Sequence, residues 1–114
     1  MAFTPPSAGE LDRRIEIQRA TEVQDSFGQV NLTWVQLAQV WARFEPGGGG
    51  ESFVADQRSS RARADFTIRY RAGITPRMRV KLDSDVWEIE AVEEPQRRAW
   101  LVLTCHAFEV ESGA

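Results

Sequence analysis

The sequence predicts an all-β protein: a small single-domain β-barrel of about six to seven short antiparallel strands with one long protruding loop. Three observations predict this class. Polar and apolar residues alternate along most of the chain, which is typical of strands that bury one face. Turn-forming residues interrupt these runs at short intervals, and no segment has the periodicity of a long helix. The 114 residues suit one domain, and the 42% hydrophobic fraction supplies one core.

Alternation marks the individual strands, because successive side chains of a strand point to opposite faces. The clearest runs are Arg14–Gln18, Asp65–Arg71, Arg77–Leu82, Val86–Ala91 and Trp100–Phe108. In the second run, Phe66, Ile68 and Tyr70 are expected to face inward. In the fourth run, Trp87, Ile89 and Ala91 are expected to face inward, opposite the acidic residues. The segment Val30–Glu45 is rich in Val and Trp and predicts either two strands or one long bent strand.

Residues that favour turns predict where the strands end, and the irregular segments at both ends of the chain lie outside the predicted strands. Turns are predicted at Asp25–Gly28, Gly73–Pro76, Asp83–Asp85 and Pro95–Arg98. Residues 1–9 are expected to form an N-terminal arm that leads into a short turn of helix near Gly9–Leu11, with Ser7 as its cap. Residues 109–114 are expected to form a C-terminal tail.

The segment 47–64 departs from the alternating pattern. Its opening glycines lose more backbone entropy on ordering than any other residue type, and a loop of this length in a compact domain is usually functional or disordered. Folded back on itself, it could project on the order of 25–30 Å. We predict a mobile loop. Its candidates for contact between subunits are Gly47, Gly48, Gly49, Gly50, Glu51, Phe53, Val54 and Gln57. Its candidates for contact with nucleic acid or acidic neighbours are Arg58, Arg61 and Arg63.

Charge and cysteine content limit the partners and the compartment. The net charge of −3 argues against a broad basic face for duplex nucleic acid. One cysteine allows no intrachain disulfide, which favours a reducing compartment or a particle assembled inside a cell. The N-terminus lacks the pattern of a signal peptide, and no apolar run reaches the length of a membrane span. We therefore expect no membrane partner.

The sequence offers no convincing catalytic, metal or cofactor site. Cys105 and His106 are neighbours in a predicted strand, so they point to opposite faces and cannot act together; we expect a structural cysteine and a surface histidine. The acidic residues of the preceding strand are interpreted as a solvated face, because no ligand set with metal-binding spacing accompanies them. These acids are Glu88, Glu90, Glu93 and Glu94. A non-enzymatic protein without cofactors is expected.

The four tryptophans leave two interpretations open. They could stack on bases, as in barrels that bind single-stranded nucleic acid, or they could serve the core and protein interfaces. The stretch from Gly47 to Arg71 holds five arginines against three acidic residues, a mild local excess of positive charge. A single-stranded nucleic-acid-binding β-barrel therefore remains the main alternative from another functional class. The tryptophans are Trp34, Trp41, Trp87 and Trp100.

The order of these motifs resembles the phage head–tail joining family, also called head-closure or stopper proteins. The resemblance covers roughly residues 9–108. A run of four glycines stands where the family has less glycine, which leaves the conformation of the loop open. The similar segments are Gly9–Arg19, Asp25–Val30, Trp34, Val40–Pro46, a loop with Glu51, Phe53, Ala55 and Gln57, the strongest stretch Phe66–Val80, and Trp87–Val92.

The resemblance implies a homo-oligomeric ring, a hexamer or dodecamer, at the neck of a phage, a prophage-derived particle or a gene transfer agent. The expected partners are portal or adaptor proteins on the head side, a tail terminator or tail protein on the other side, and packaged double-stranded DNA in the channel. Copies of the loop would help to gate that channel. Assembly would take place in the host bacterial cytoplasm. Another ring of the same neck, an adaptor or a tail terminator, is an alternative, although the lack of long helices argues against an adaptor.

Overall fold

In the part of the chain that the structure describes, six antiparallel strands close into a barrel. A computed structural model describes residues 3–47 and 62–107 of the chain. The strands pair in the order β1-β2-β3-β6-β5-β4, and β4 pairs back with β1, so the sheet has no open end. The all-β barrel predicted from the sequence is confirmed. Its strands are β1 (Arg13–Gln24), β2 (Val30–Pro46), β3 (Arg63–Arg69), β4 (Arg79–Leu82), β5 (Asp85–Gln96) and β6 (Trp100–Ala107), preceded by a 3-10 helix at Ala8–Glu10.

Three of the strands are longer than the short strands expected. β2 is one continuous strand, so the segment Val30–Glu45 forms one long strand and not two. β1 and β2 continue past the barrel, where they pair only with each other from Arg19 opposite Val35 to Gln24 opposite Val30. We call residues 18–36 the β1–β2 hairpin. β5 is also longer than predicted, and Pro95 lies inside it rather than in the turn that follows.

A β-bulge in β5 changes which side chains face inward. Ile89 pairs with Cys105 and Ala91 pairs with Thr104, so Glu90 is the extra residue on β5. Because one extra residue shifts the alternation by one, Ala91 comes to lie on the outer face, and Val92 packs against the core instead. The expectation that Ala91 faces inward was wrong for this reason.

Aromatic and branched side chains fill the barrel. The rings of Phe44, Phe66 and Trp87 pack together with centroid distances of 5.2–5.8 Å, and two of the three pairs meet edge to face. The inward residues predicted from alternation in β3 and β5, other than Ala91, lie in or against this core. The largest fully buried side chains are Phe66, Ile15, Ile17, Ile68, Leu103 and Val80.

The turn at the end of the β1–β2 hairpin forms as its residues predict. The Asp25 carboxylate accepts hydrogen bonds from the backbone N–H groups of Phe27 and Gln29, both at 2.9 Å. Gly28 has a φ of +84°, a conformation that favours glycine. The hairpin therefore ends in a turn that is held by a side chain.

The arm that precedes β1 lies against the barrel over its described part. Pro6 is buried, and the Arg43 guanidinium donates to the carbonyl oxygen of Thr4 at 3.1 Å. The short helix begins after Ser7, whose backbone N–H donates to the Glu10 carboxylate at 2.9 Å. The predicted helical turn is therefore present, one residue earlier in the chain than expected.

Candidate functional site

The expected loop leaves and re-enters the barrel at one point. Gly47, with a φ of +77°, donates its N–H to the carbonyl oxygen of Arg63 at 2.7 Å, and Pro46 pairs with Ala64. β3 begins at Arg63, so the last two residues of the range 47–64 belong to a strand. Arg63 forms an ion pair with Glu90 on the barrel wall at 3.6 Å.

The other residues named for this loop lie outside the described part of the chain. Their expected contacts with neighbouring copies and with DNA stay predictions. Of the residues named for this loop, Gly47 and Arg63 are the two that lie in the described part of the chain. The residues concerned are Gly48, Gly49, Gly50, Glu51, Phe53, Val54, Gln57, Arg58 and Arg61.

Cys105 and His106 point to opposite faces of β6, as predicted. The Cys105 side chain is fully buried, and burial raises the pKa of its thiol far above the ordinary value, with the charges of Asp65 and Glu90 adding to the effect. A thiol held neutral in the core is a poor nucleophile. Cys105 is therefore a structural residue of the barrel interior.

His106 lies on the outer face, but two carboxylates cover it. Its Nδ1 lies 2.5 Å from Glu90 and its Nε2 lies 3.0 Å from Glu88, and only 13% of the side chain is exposed. The surface position expected for His106 is confirmed, but the side chain is largely enclosed there, because Glu88 on β5 is its cross-strand partner and the bulge places Glu90 beside it. Each ring nitrogen has its own carboxylate, an arrangement that holds the imidazole in place.

Within residues 3–47 and 62–107, no group of three or more His, Cys, Asp or Glu side chains is arranged to hold a metal ion. In the same residues, no helix is both long and apolar enough to cross a membrane.

Three of the four tryptophans lie on the outer face, and an arginine covers each of them. Trp87 is the exception and belongs to the core. A guanidinium therefore lies over one face of each outer ring, so that face is not open to stack on a base. The pairs are Arg79 over Trp34 at 4.2 Å, Arg14 over Trp41 at 5.2 Å and Arg69 over Trp100 at 5.3 Å from the ring centroid.

The region around Trp41 forms a concave surface. Arg14 lies opposite Trp41 across the β1–β2 pair, and 49% of Trp41 remains exposed. Two shallow pockets of about 270 Å³ and about 310 Å³ adjoin this ring, and Trp41 and Arg69 line both of them. We call this region the Trp41 surface and define it by Leu11, Val40, Trp41, Arg69, Tyr70 and Arg71.

The end of the β1–β2 hairpin carries a second exposed apolar surface. Phe27 is 91% exposed, and Val30 and Leu32 are more than half exposed on one face of β2. Val23 is half exposed on the other face. We call residues 22–32 the hairpin tip.

Sequence reasoning missed the Trp41 surface and the hairpin tip, because alternation indicates the face of a strand and not whether the barrel covers that face. The one available signal was the absence of lysine and arginine between Ala20 and Ala42.

The sequence model of the phage head completion protein family matches residues 6–108. The chain belongs to this family. The match includes every strand of the barrel, so the resemblance to phage head–tail joining proteins is confirmed at the level of the family. No curated protein sequence matches this head completion protein.

Solved structures share the fold of this head completion protein. One is a chain from the virion of a native gene transfer agent particle, with a TM-score of 0.62 and 23% identity over 87% of this chain and 96% of that chain. Another is the solution structure of protein SF1141 from Shigella flexneri 2a, with a TM-score of 0.66 and 24% identity over 87% of this chain and 94% of that chain. The head completion fold thus occurs in a chain of an assembled virion.

Proposed function

We propose that this head completion protein is a head-closure subunit. Copies of it form a hexameric or dodecameric ring at the neck of a tailed phage or a phage-like particle. Portal or adaptor proteins contact the ring on the head side, and a tail terminator or tail protein contacts it on the other side. The observation that carries the proposal is the family match over residues 6–108, which takes in the whole barrel. The role is structural and involves no catalysis.

The loop between β2 and β3 is proposed to act in the DNA channel. Gly47 and Arg63, which flank it, are joined by a backbone hydrogen bond, so the segment begins and ends at one point on the barrel. Ring symmetry repeats that point around the channel at one height. Ordering such a glycine-rich segment costs about 1–2 kcal/mol per residue, which contacts between neighbouring copies would offset. Phe53 and Val54 are the proposed apolar contacts, and Arg58 and Arg61 are the proposed DNA-facing residues.

Deletion of the gene for this chain tests the proposed position. In the producing strain, we expect heads that package DNA, release it, and carry no tail. Complementation with the wild-type chain should restore tailed, DNA-filled particles. Tailed and infectious particles from the deletion strain would refute the proposed function.

Removal of residues 48–61 tests the role of the loop separately. The Gly47–Arg63 contact lies at the base of the segment, so the shortened chain should keep the barrel and its melting temperature. We expect particles that contain the shortened chain but lose packaged DNA, measured as nuclease-accessible DNA. In a matched variant, a serine–glycine segment of the same length replaces residues 48–61. This variant shows whether DNA retention depends on the side chains of the segment or on its length. Normal DNA retention by the shortened chain would contradict the gating role.

A further inference from the structure

The exposed large apolar side chains of the described residues fall into two separate surfaces. Four of them, Val23, Phe27, Val30 and Leu32, lie on the hairpin tip, and the fifth is Trp41. Along β2, Trp41 and Val30 are roughly 35 Å apart, at about 3.3 Å per residue. Because the strand that joins them is extended, the hairpin tip cannot fold back onto the Trp41 surface of its own subunit.

The hairpin tip is poorly supported within its own chain. β1 pairs with β4 over Glu16–Gln18, and β2 pairs with β3 over Arg43–Pro46. In the described residues, the part of the hairpin beyond the barrel is therefore a two-stranded ribbon with a free edge on each side. Such a ribbon is marginally stable in water, and exposed apolar edges promote association with other chains. A partner that covers the tip would stabilise the ribbon and would bury its exposed apolar side chains.

The charges of the two surfaces are opposite. Between Ala20 and Ala42 the chain has no lysine or arginine, and its charged residues there are Glu22 and Asp25. The Trp41 surface has Arg69 and Arg71 in its wall, and Arg14 lies over the Trp41 ring. The neighbouring acid Glu10 is already engaged by the backbone of Ser7 and by Arg43.

We propose that the hairpin tip of one subunit docks on the Trp41 surface of a second copy of the chain. Apolar side chains of the tip cover Trp41 and enter the adjoining pockets, and Glu22 lies toward Arg71. Since the two surfaces differ and lie far apart on the subunit, each copy contacts one neighbour through its hairpin tip and another through its Trp41 surface. A head-to-tail contact of this kind closes into a ring when its rotation permits. The inference rests on the proposed ring and identifies the contact that builds it.

Cysteine cross-linking in assembled particles tests this contact. Ser26→Cys places a thiol beside Phe27 and Ala72→Cys places one beside Arg71; both residues are exposed, and the native Cys105 is buried. With a short bismaleimide, the double variant should give a ladder of covalent oligomers that ends at the ring size. Each single variant should stay monomeric, and particles that contain both single variants should give dimers and nothing larger.

The outcomes separate the docking contact from the proposed function. If the double variant is present in particles at wild-type abundance and gives no ladder, the docking contact is refuted and the neck position stands. Dimers from Ser26→Cys alone would show that two tips meet each other, which also refutes it. Absence of the wild-type chain from purified particles would overturn the ring and the contact together.

Charge exchange gives an independent test. Glu22 and Arg71 are exposed, so Glu22→Arg and Arg71→Glu should leave the melting temperature of the purified protein unchanged. With each single variant as the sole copy, we expect at least about a tenfold loss of this chain per particle, because like charges then meet across the contact. The double variant should recover to within about threefold of wild type. Equal losses in the single and double variants would contradict the contact.

Discussion

Arg79 joins the β1–β2 hairpin to the barrel, and its pairing with Trp34 can be measured. The guanidinium of Arg79, on β4, lies 4.2 Å from the ring centroid of Trp34, and its Nε donates to the Gln18 side-chain oxygen at 2.6 Å. Burial lowers the pKa of Arg79, which indicates that its charge is partly removed from water. The perturbation is a double-mutant cycle with Arg79→Ala, Trp34→Leu and the combined variant.

The expected magnitude follows from the contact geometry. A cation–π pair contributes about 0.5–1 kcal/mol when exposed and about 2 kcal/mol when desolvated, and Arg79 and Trp34 are both half-buried. We therefore expect a coupling free energy of about 1 kcal/mol. Arg79→Ala also leaves the buried Gln18 oxygen without this donor, which costs about 1 kcal/mol more. The single variant should lose about 2 kcal/mol in total.

Urea unfolding followed by far-ultraviolet circular dichroism measures these free energies without relying on tryptophan fluorescence. With a slope of about 1–3 kcal/mol per molar urea for a small domain, Arg79→Ala should lower the midpoint by about 1 M. Arg14 and Trp41 are the matched control pair, because their separation is 5.2 Å and Trp41 is 49% exposed. That pair should couple by about 0.5 kcal/mol, the lower end of the range for exposed pairs. A coupling for Arg79 and Trp34 below that of the control pair would refute the reasoning.

Two further predictions concern the barrel and a third concerns the turn of the β1–β2 hairpin. Burial raises the pKa of Asp65, so the folded state binds the carboxyl proton more tightly than the unfolded state and loses stability as pH rises through the folded pKa. Asp65→Asn should therefore raise the melting temperature at pH 7 more than at pH 3. An equal gain at both pH values would contradict this. Cys105 should resist alkylation in native buffer and react in urea, whereas rapid native labelling would place it outside the core. Asp25→Ala should lower the free energy of unfolding by about 1 kcal/mol. Asp25→Asn should lower it by clearly less, because the asparagine side-chain oxygen can still accept hydrogen bonds from the backbone N–H groups of the turn. Equal losses of the two variants in urea titrations would refute this role of Asp25.

Alternation in the sequence predicted the strands well where no bulge intervened. Phe66 and Ile68 face the core as expected, because a regular strand keeps its period of two. The prediction was wrong at Ala91, where the bulge at Glu90 exchanges the two faces. A bulge is decided by how β5 pairs with β6, and local composition carries no clear signal for it.

The candidate site was only partly accessible to sequence reasoning. The glycine run identified the start of the segment between β2 and β3, and the ordered motifs identified the family. The enclosure of His106 by Glu88 and Glu90 could not be predicted, because these residues come together through cross-strand pairing and the bulge. The arginines over the outer tryptophans depend on the same pairing between strands.

The amino-acid sequence by itself determined the all-β class, the face of most strand residues and the family, because each depends on local pattern or on the order of motifs along the chain. The tertiary structure alone decided that β1 and β2 extend beyond the barrel, which leaves Phe27 and Leu32 exposed and separates them from Trp41. The physical reason is that burial of a strand face depends on which distant strands cover it. The period of a single strand contains no information about its neighbours.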